Sequence, residues 1–172
     1  ESLEEDYIRS RIGQVYYLGE QLLGAGVPIV KPIGGHAVFL DAAAILSHLP
    51  REQYPAQALA AALYVESGVR AMERGTISAG RDPNSGTDRV PRLELVRLTI
   101  PRRVYTQAHM DVVTESVIAV FECRAQVRGL RFTYEPEYLR FFQARFEPVG
   151  APAVLDPAHT EHGGGATHFA LS

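Results

Sequence analysis

Apolar residues recur at every third or fourth position between residues 4 and 23, as at Ile8, Ile12 and Val15. This spacing is typical of one face of an amphipathic helix. Gly24 and Gly26 follow the last apolar position, and glycine accepts the left-handed conformation that closes helices. The pattern therefore predicts a helix over residues 4–23.

Shorter apolar patterns alternate along the rest of the chain. They predict strands over residues 27–30, 36–40, 93–100, 130–134 and 141–146, and helices over residues 42–49, 56–67 and 106–127. Residues 69–78 look extended, and residues 80–91 are rich in turn-forming residues. This order predicts an α+β fold, in which a small, mostly antiparallel sheet is covered on one face by helices.

Length and composition predict one globular domain. The chain has 172 residues, of which 46% are hydrophobic and 22% are charged, as in ordinary globular proteins. The domain is predicted to occupy residues 1–147. Residues 148–172 are rich in glycine, proline, alanine and histidine without periodicity, which predicts a disordered tail.

Charge and cysteine content exclude several classes of partner. The net charge of −3 argues against a nucleic-acid partner, and no apolar run approaches the roughly 20 residues that cross a membrane. The acidic first residues do not resemble a secretory signal. The single cysteine, Cys123, excludes an internal disulfide and fits a reducing compartment. We expect a cytoplasmic protein.

Arg97 is the first candidate for a binding residue. It lies in a strand between aliphatic residues, where a guanidinium needs an anion because burying an unpaired charge is costly. A carboxylate fits its planar fork. The alternative is a structural salt bridge, for example with Glu73, and the residues alone favour that alternative.

Arg74 and Lys31 complete the candidates from residue chemistry. Arg74 precedes Gly75, which lets the backbone approach another group closely, although a surface arginine is the commoner outcome. Lys31 is the only lysine, so any chemistry that needs a lysine amine uses Lys31 or another chain. We find no metal motif and no cofactor motif, because Gly34-Gly35-His36 is too short for a phosphate loop.

Seven segments resemble the C-terminal portion of a known enzyme family. They cover residues 26–30, 34–42, 54–57, 96–106, 109–111, 132–136 and 139–142. The most specific contains Arg97-Leu98-Thr99-Ile100-Pro101. The segments follow one another in the same order over residues 5–147 as in the family that they resemble. That family is the tyrosine phenol-lyase and tryptophanase family of pyridoxal-phosphate-dependent β-eliminating lyases. The resemblance implies the small C-terminal domain of a fold-type I enzyme.

The resemblance assigns roles to five residues. Arg97 would hold the α-carboxylate of an amino-acid substrate. Arg74, in Met72-Glu73-Arg74-Gly75, would contact the phenol hydroxyl as a catalytic residue, where tryptophanases carry an aliphatic residue. Met72 would line the pocket. Phe141 and Phe142 would form an apolar wall. Tryptophanases carry a histidine at the first of these two positions. Both discriminating positions favour the tyrosine branch, although the two phenylalanines also fit an ordinary strand core.

The resemblance also implies parts that this chain does not supply. The Schiff-base lysine, the pyridoxal phosphate cradle and the ligands of a monovalent cation such as potassium belong mainly to a large domain. Lys31 does not occupy the Schiff-base position. The chain is therefore expected to recognise L-tyrosine, to be inactive alone, and to work with the missing large domain in a homotetramer.

Two other interpretations remain open from the sequence. One is a tryptophanase-type lyase, with indole as the leaving group. The other is a non-catalytic remnant or interaction module, or a plain gene fragment, that does not turn over substrate.

Overall fold

A computed structural model of the chain describes residues 5–101 and 105–150. The helices in this part of the chain are α1 (Glu5–Gly24), α2 (Ala42–Ile45), α3 (Pro55–Ser67), α4 (Thr76–Ala79), α5 (Gln107–Glu122) and α6 (Arg140–Gln143). The strands are β1 (Ala37–Asp41), β2 (Met72–Arg74), β3 (Leu95–Thr99), β4 (Leu130–Tyr134) and β5 (Arg145–Pro148).

The strands form two antiparallel sheets. The first has the order β1-β3-β2, with β3 in the centre, and the second pairs β4 with β5. The register of the first sheet places Phe39 and Met72 opposite Arg97, one on each side. Since successive side chains alternate between the two faces of a sheet, these three residues share one face.

The other face of the three-stranded sheet forms the core of the domain. Val38, Leu40, Val96 and Leu98 are buried there; helices α1 and α3 pack over the sheet, and α5 packs against these two helices. Each such aliphatic side chain contributes about 1.5–3 kcal/mol when fully buried. The burial of this face therefore stabilises the sheet. Because the helices pack on this side, the opposite face, which carries Arg97, is less covered.

The predicted α+β class is confirmed, with one sheet face covered by helices. Four predicted elements differ from the structure. The helix predicted over residues 42–49 ends at Ile45. Residues 27–30 make only an isolated bridge, between Ile29 and Leu40. Residues 69–78 contain the short β2 and then α4. Residues 141–146 were predicted as a strand but divide between α6 and β5, because the chain turns into a helix after Leu139, whose φ is 57°.

Two further features concern the ends of the chain and the membrane. Strand β5 runs to Pro148, and the rest of the predicted tail, residues 151–172, lies outside the described residues. None of the helices in the described ranges is both long enough and apolar enough to cross a membrane.

Candidate functional site

The less covered face of the three-stranded sheet carries three of the candidate residues. We use the name outer face for five side chains on this side of the sheet, which are Phe39, Met72, Arg74, Leu95 and Arg97. Arg97 lies opposite Met72 across β2 and β3, and Arg74 lies opposite Leu95. Arg74 is thus the diagonal neighbour of Arg97, at a backbone separation of about 7–8 Å. The strand register brings two guanidinium groups and one thioether together.

Arg97 is half-buried and incompletely paired. Its Nη2 donates to Met72 Sδ at 2.9 Å. Its Nε is buried, and no acceptor among the described residues contacts it. A thioether sulfur is a weak acceptor, so the positive charge has no anion of its own in this part of the chain. Arg97 therefore keeps unused hydrogen-bonding capacity among the described residues.

The structure contradicts the alternative of a salt bridge between Arg97 and Glu73. The Glu73 carboxylate is buried at 3% exposure and accepts backbone hydrogen bonds from Gly75 at 2.7 Å and from Ser78 at 2.9 Å. Position 73 points to the opposite face of β2 from Met72 and Arg74. Glu73 therefore stabilises the turn after Arg74 and does not neutralise Arg97.

A second buried carboxylate closes the same turn, which sequence reasoning missed. Glu94 is 1% exposed, and its Oε1 accepts from the backbone N–H of Thr76 at 3.0 Å and from the Thr76 hydroxyl. A Cβ atom added to Gly75 would lie 2.1 Å from Glu94 Oε2 and 2.9 Å from Glu73 Oε1. Only glycine fits between the two carboxylates, and this fixes the backbone next to Arg74.

Gly75→Ala is expected to lower the free energy of unfolding by about 1–3 kcal/mol, because the new methyl group overpacks this buried site. The matched control is Gly13→Ala on the exposed surface of α1, where nothing lies within 4 Å of the added Cβ. That change should stabilise the chain by about 0.5–1 kcal/mol. Urea unfolding of both variants measures the difference, and equal effects would contradict this account of the turn.

Glu73 gives the chain a pH-dependent stability of defined sign. Burial raises the pKa of Glu73 above its ordinary value of 4.5, against backbone hydrogen bonds that lower it. Between the ordinary and the raised pKa the folded chain binds more protons than the unfolded chain. The free energy of unfolding therefore falls as the pH rises through that window.

Glu73→Gln is expected to reduce this slope of stability against pH, since the amide does not titrate. Urea unfolding from pH 4.5 to about 7 measures it. Glu115→Gln changes an exposed residue of α5 and should leave the slope as it is. An unchanged slope in Glu73→Gln would show that another group carries the pH dependence.

Phe141 and Phe142 lie outside the three-stranded sheet, on α6. Their rings meet edge to face with centroids 5.1 Å apart, and α6 lies beside α4, the helix that follows Arg74 and Gly75. Phe142 is 76% exposed and Phe141 is half-buried, so the alternative of an ordinary strand core is wrong. The pair approaches the side of the site that carries Arg74.

The lysine and the possible metal ligands of the described residues lie away from the outer face or do not cluster. The chain's only lysine, Lys31, is exposed in the segment before β1 and is not part of the outer face. No group of three or more histidine, cysteine, aspartate or glutamate residues that could hold a metal ion occurs in the described part of the chain. On the outer face, the structure places two arginines on neighbouring strands beside Met72 and Phe39.

Comparison with known proteins identifies the family. The model of the β-eliminating lyases matches residues 2–116. The chain belongs to the β-eliminating lyase family. Its relatives include proteins named tyrosine phenol-lyase from Symbiobacterium thermophilum, 68% identical over 149 residues, and from Intrasporangium calvum, 62% identical over 161 residues. These matches cover 87% and 94% of this chain but 32% and 34% of the relatives.

Membership of the β-eliminating lyase family confirms the resemblance seen over residues 5–147. The chain therefore corresponds to part of a lyase. The family also implies dependence on pyridoxal phosphate. The chain spans about a third of the length of the curated relatives it matches.

The outer face also contains Phe39, which sequence analysis did not select. The alternation Val38-Phe39-Leu40 was the available signal, since it separates Phe39 from the two core residues.

Proposed function

We propose that this chain is the substrate-recognition part of a tyrosine phenol-lyase-like enzyme, which converts L-tyrosine and water to phenol, pyruvate and ammonia. The observation that carries the proposal is the buried Nε of Arg97, which has no acceptor among the described residues. A substrate carboxylate would complete its hydrogen bonds, and the energy of that contact would fix the amino-acid end of the substrate.

In this proposal the two arginines divide the substrate between them. Arg97 binds the α-carboxylate, and Arg74 donates to the phenol oxygen, where negative charge develops as the ring leaves. Their diagonal placement on adjacent strands suits the two polar ends of one amino acid. Met72 lines the space between them.

Phe141 and Phe142 form the apolar wall of the ring pocket in this proposal. An apolar wall excludes water from the reacting carbon and strengthens the electrostatic contact of Arg74 with the leaving group. Phe142 is 76% exposed, so its ring is available to contact a substrate in this proposal.

The chemistry at the α-carbon belongs to residues outside this chain. Pyridoxal phosphate would act there as the electron sink, held mainly by the large domain that the family resemblance implies. From the same family resemblance we propose a monovalent cation such as potassium in the complete enzyme, assembly as a homotetramer, and a cytoplasmic location. Size-exclusion chromatography with light scattering, and activity assays with potassium replaced by lithium, test the first two of these.

A chimera tests the proposed function. The 149 matched residues of the Symbiobacterium thermophilum relative are replaced by those of this chain, and phenol release from L-tyrosine is measured with pyridoxal phosphate present. The unmodified relative is the control. We expect the chimera to release phenol. A folded chimera that binds the cofactor and releases none, or that acts on L-tryptophan alone, would contradict the proposal.

A further inference from the structure

Arg140 is an almost buried cation placed directly before the two phenylalanines. Its side chain is 10% exposed. Its Nη1 lies 2.8 Å from Asp88 Oδ1 and its Nε 2.6 Å from Glu135 Oε1, and its guanidinium lies 4.7 Å from the centroid of the Phe132 ring. The pairs lack hydrogen-bond alignment, so we treat them as Coulombic contacts. One side chain thus holds two carboxylates and an aromatic face.

These contacts join segments that are far apart in the sequence. Asp88 belongs to the loop between α4 and β3, and Glu135 follows β4. Arg81 pairs with Glu135 and lies 3.7 Å from Asp88, which balances two positive charges against two negative ones. Tyr54, just before α3, donates from its hydroxyl to Asp88 Oδ2 at 3.2 Å.

The helix that carries the phenylalanines is short, and besides Arg140 it is held by its packing beside α4 and by the half-buried Phe141. Helix α6 contains four residues, which is too short for a helix to be stable by itself. It starts after Leu139, a non-glycine residue with φ of 57°, a conformation that L-residues avoid. Leu139 is 61% exposed and Phe142 is 76% exposed, so neither anchors α6 by burial.

We propose that Arg140 is a positioning residue for the ring pocket. Its contacts with Asp88 and Glu135 fix α6, and so fix Phe141 and Phe142, against the loop between α4 and β3. This inference rests on the proposed function for its catalytic consequence, while the placement of α6 by Arg140 stands independently of it. The fork of arginine contacts both carboxylates at once, and lysine, with one point charge, cannot hold both in the same geometry.

The catalytic test uses the chimera with two substrates. L-tyrosine fills the ring pocket, whereas β-chloro-L-alanine has the same carboxylate and no ring. Arg140→Lys is expected to lower kcat/KM for L-tyrosine by roughly 10- to 100-fold, because displaced phenylalanines would misplace the substrate ring. The kcat/KM for β-chloro-L-alanine should stay unchanged. Arg131→Lys is the matched control, since Arg131 on β4 also pairs with a carboxylate, that of Glu147 on β5, but is 62% exposed. Equal losses for both substrates in Arg140→Lys would overturn the proposal, because a merely structural role lowers both.

A second measurement on the full 172-residue chain separates this inference from the proposed function. Amide hydrogen exchange at Phe142, whose N–H bonds to Leu139 O at 2.9 Å, reports whether α6 is formed, and NOEs between α6 and α4 report its position. Arg140→Lys is expected to lose the exchange protection at Phe142 and the NOEs between α6 and α4. Arg131→Lys should keep both of these signals. If both persist in Arg140→Lys, the positioning role is wrong even where the chimera is active. If they are lost while the unmodified chimera releases no phenol, only the proposed function fails.

Discussion

Arg97→Met is expected to stabilise this chain and to disable the chimera. In the chain, it removes a half-buried charge that has no anion among the described residues, so the free energy of unfolding should rise by about 1 kcal/mol. In the chimera it removes the partner of the substrate carboxylate. Losing one member of a buried charge pair costs about 2–5 kcal/mol, which corresponds to a fall in kcat/KM of roughly 30- to several-thousand-fold.

The loss in Arg97→Met should be equally large for L-tyrosine and β-chloro-L-alanine, since both carry the α-carboxylate. Arg128→Met, at an exposed arginine, is the control and should change neither stability nor kcat/KM. A variant that loses stability together with activity would show that Arg97 is a structural residue. Urea unfolding and steady-state kinetics provide the two readouts.

Arg74→Ile is expected to remove the phenol specificity while sparing the rest of the site. Removing one donor to a developing oxyanion costs about 2.7–4 kcal/mol, so kcat/KM for L-tyrosine should fall by roughly 100- to 1000-fold. β-Chloro-L-alanine places no oxygen near Arg74, and its kcat/KM should stay unchanged. Isoleucine suits an extended strand, so β2 should keep its pairing with β3.

Arg70→Ile is the matched control for Arg74→Ile, because Arg70 is also exposed and lies shortly before β2. It should leave the kcat/KM of both substrates unchanged. The role of Arg74 would be contradicted if Arg74→Ile still released phenol at the unmodified rate. It would also be contradicted if both substrates lost activity alike, since that pattern indicates damage to the sheet.

The position of Arg97 could be predicted from the sequence because one local rule decides it. Alternation along Leu95–Thr99 separates Arg97 from the core residues Val96 and Leu98, and a lone charge among aliphatic residues is conspicuous. The exclusion of Glu73 as its partner needed the structure, because only the pairing of Met72 with Arg97 across β2 and β3 shows that positions 72 and 74 share the outer face. The partner across the sheet, Phe39, needs the register between β1 and β3, which the residues alone do not fix.

The elements around Phe141 were not predictable by the same reasoning. Two adjacent phenylalanines favour a strand by propensity, but the charge contacts of Arg140 hold that segment as a helix. Those contacts join residues 88, 135 and 140, and no local pattern in the sequence links them. Glu94 escaped notice for a similar reason, because its backbone partner at Thr76 lies 18 positions away.

The central proposal is that this chain recognises the substrate while the residues that hold the cofactor belong mainly to another part of the enzyme. The most direct test mixes the purified chain with pyridoxal phosphate and L-tyrosine, records the visible spectrum of the cofactor, and measures pyruvate and phenol. We predict no stable lysine adduct and no product, with activity appearing only in the chimera. A stable adduct together with pyruvate release would show that Lys31 or another amine holds the cofactor, and would contradict the account.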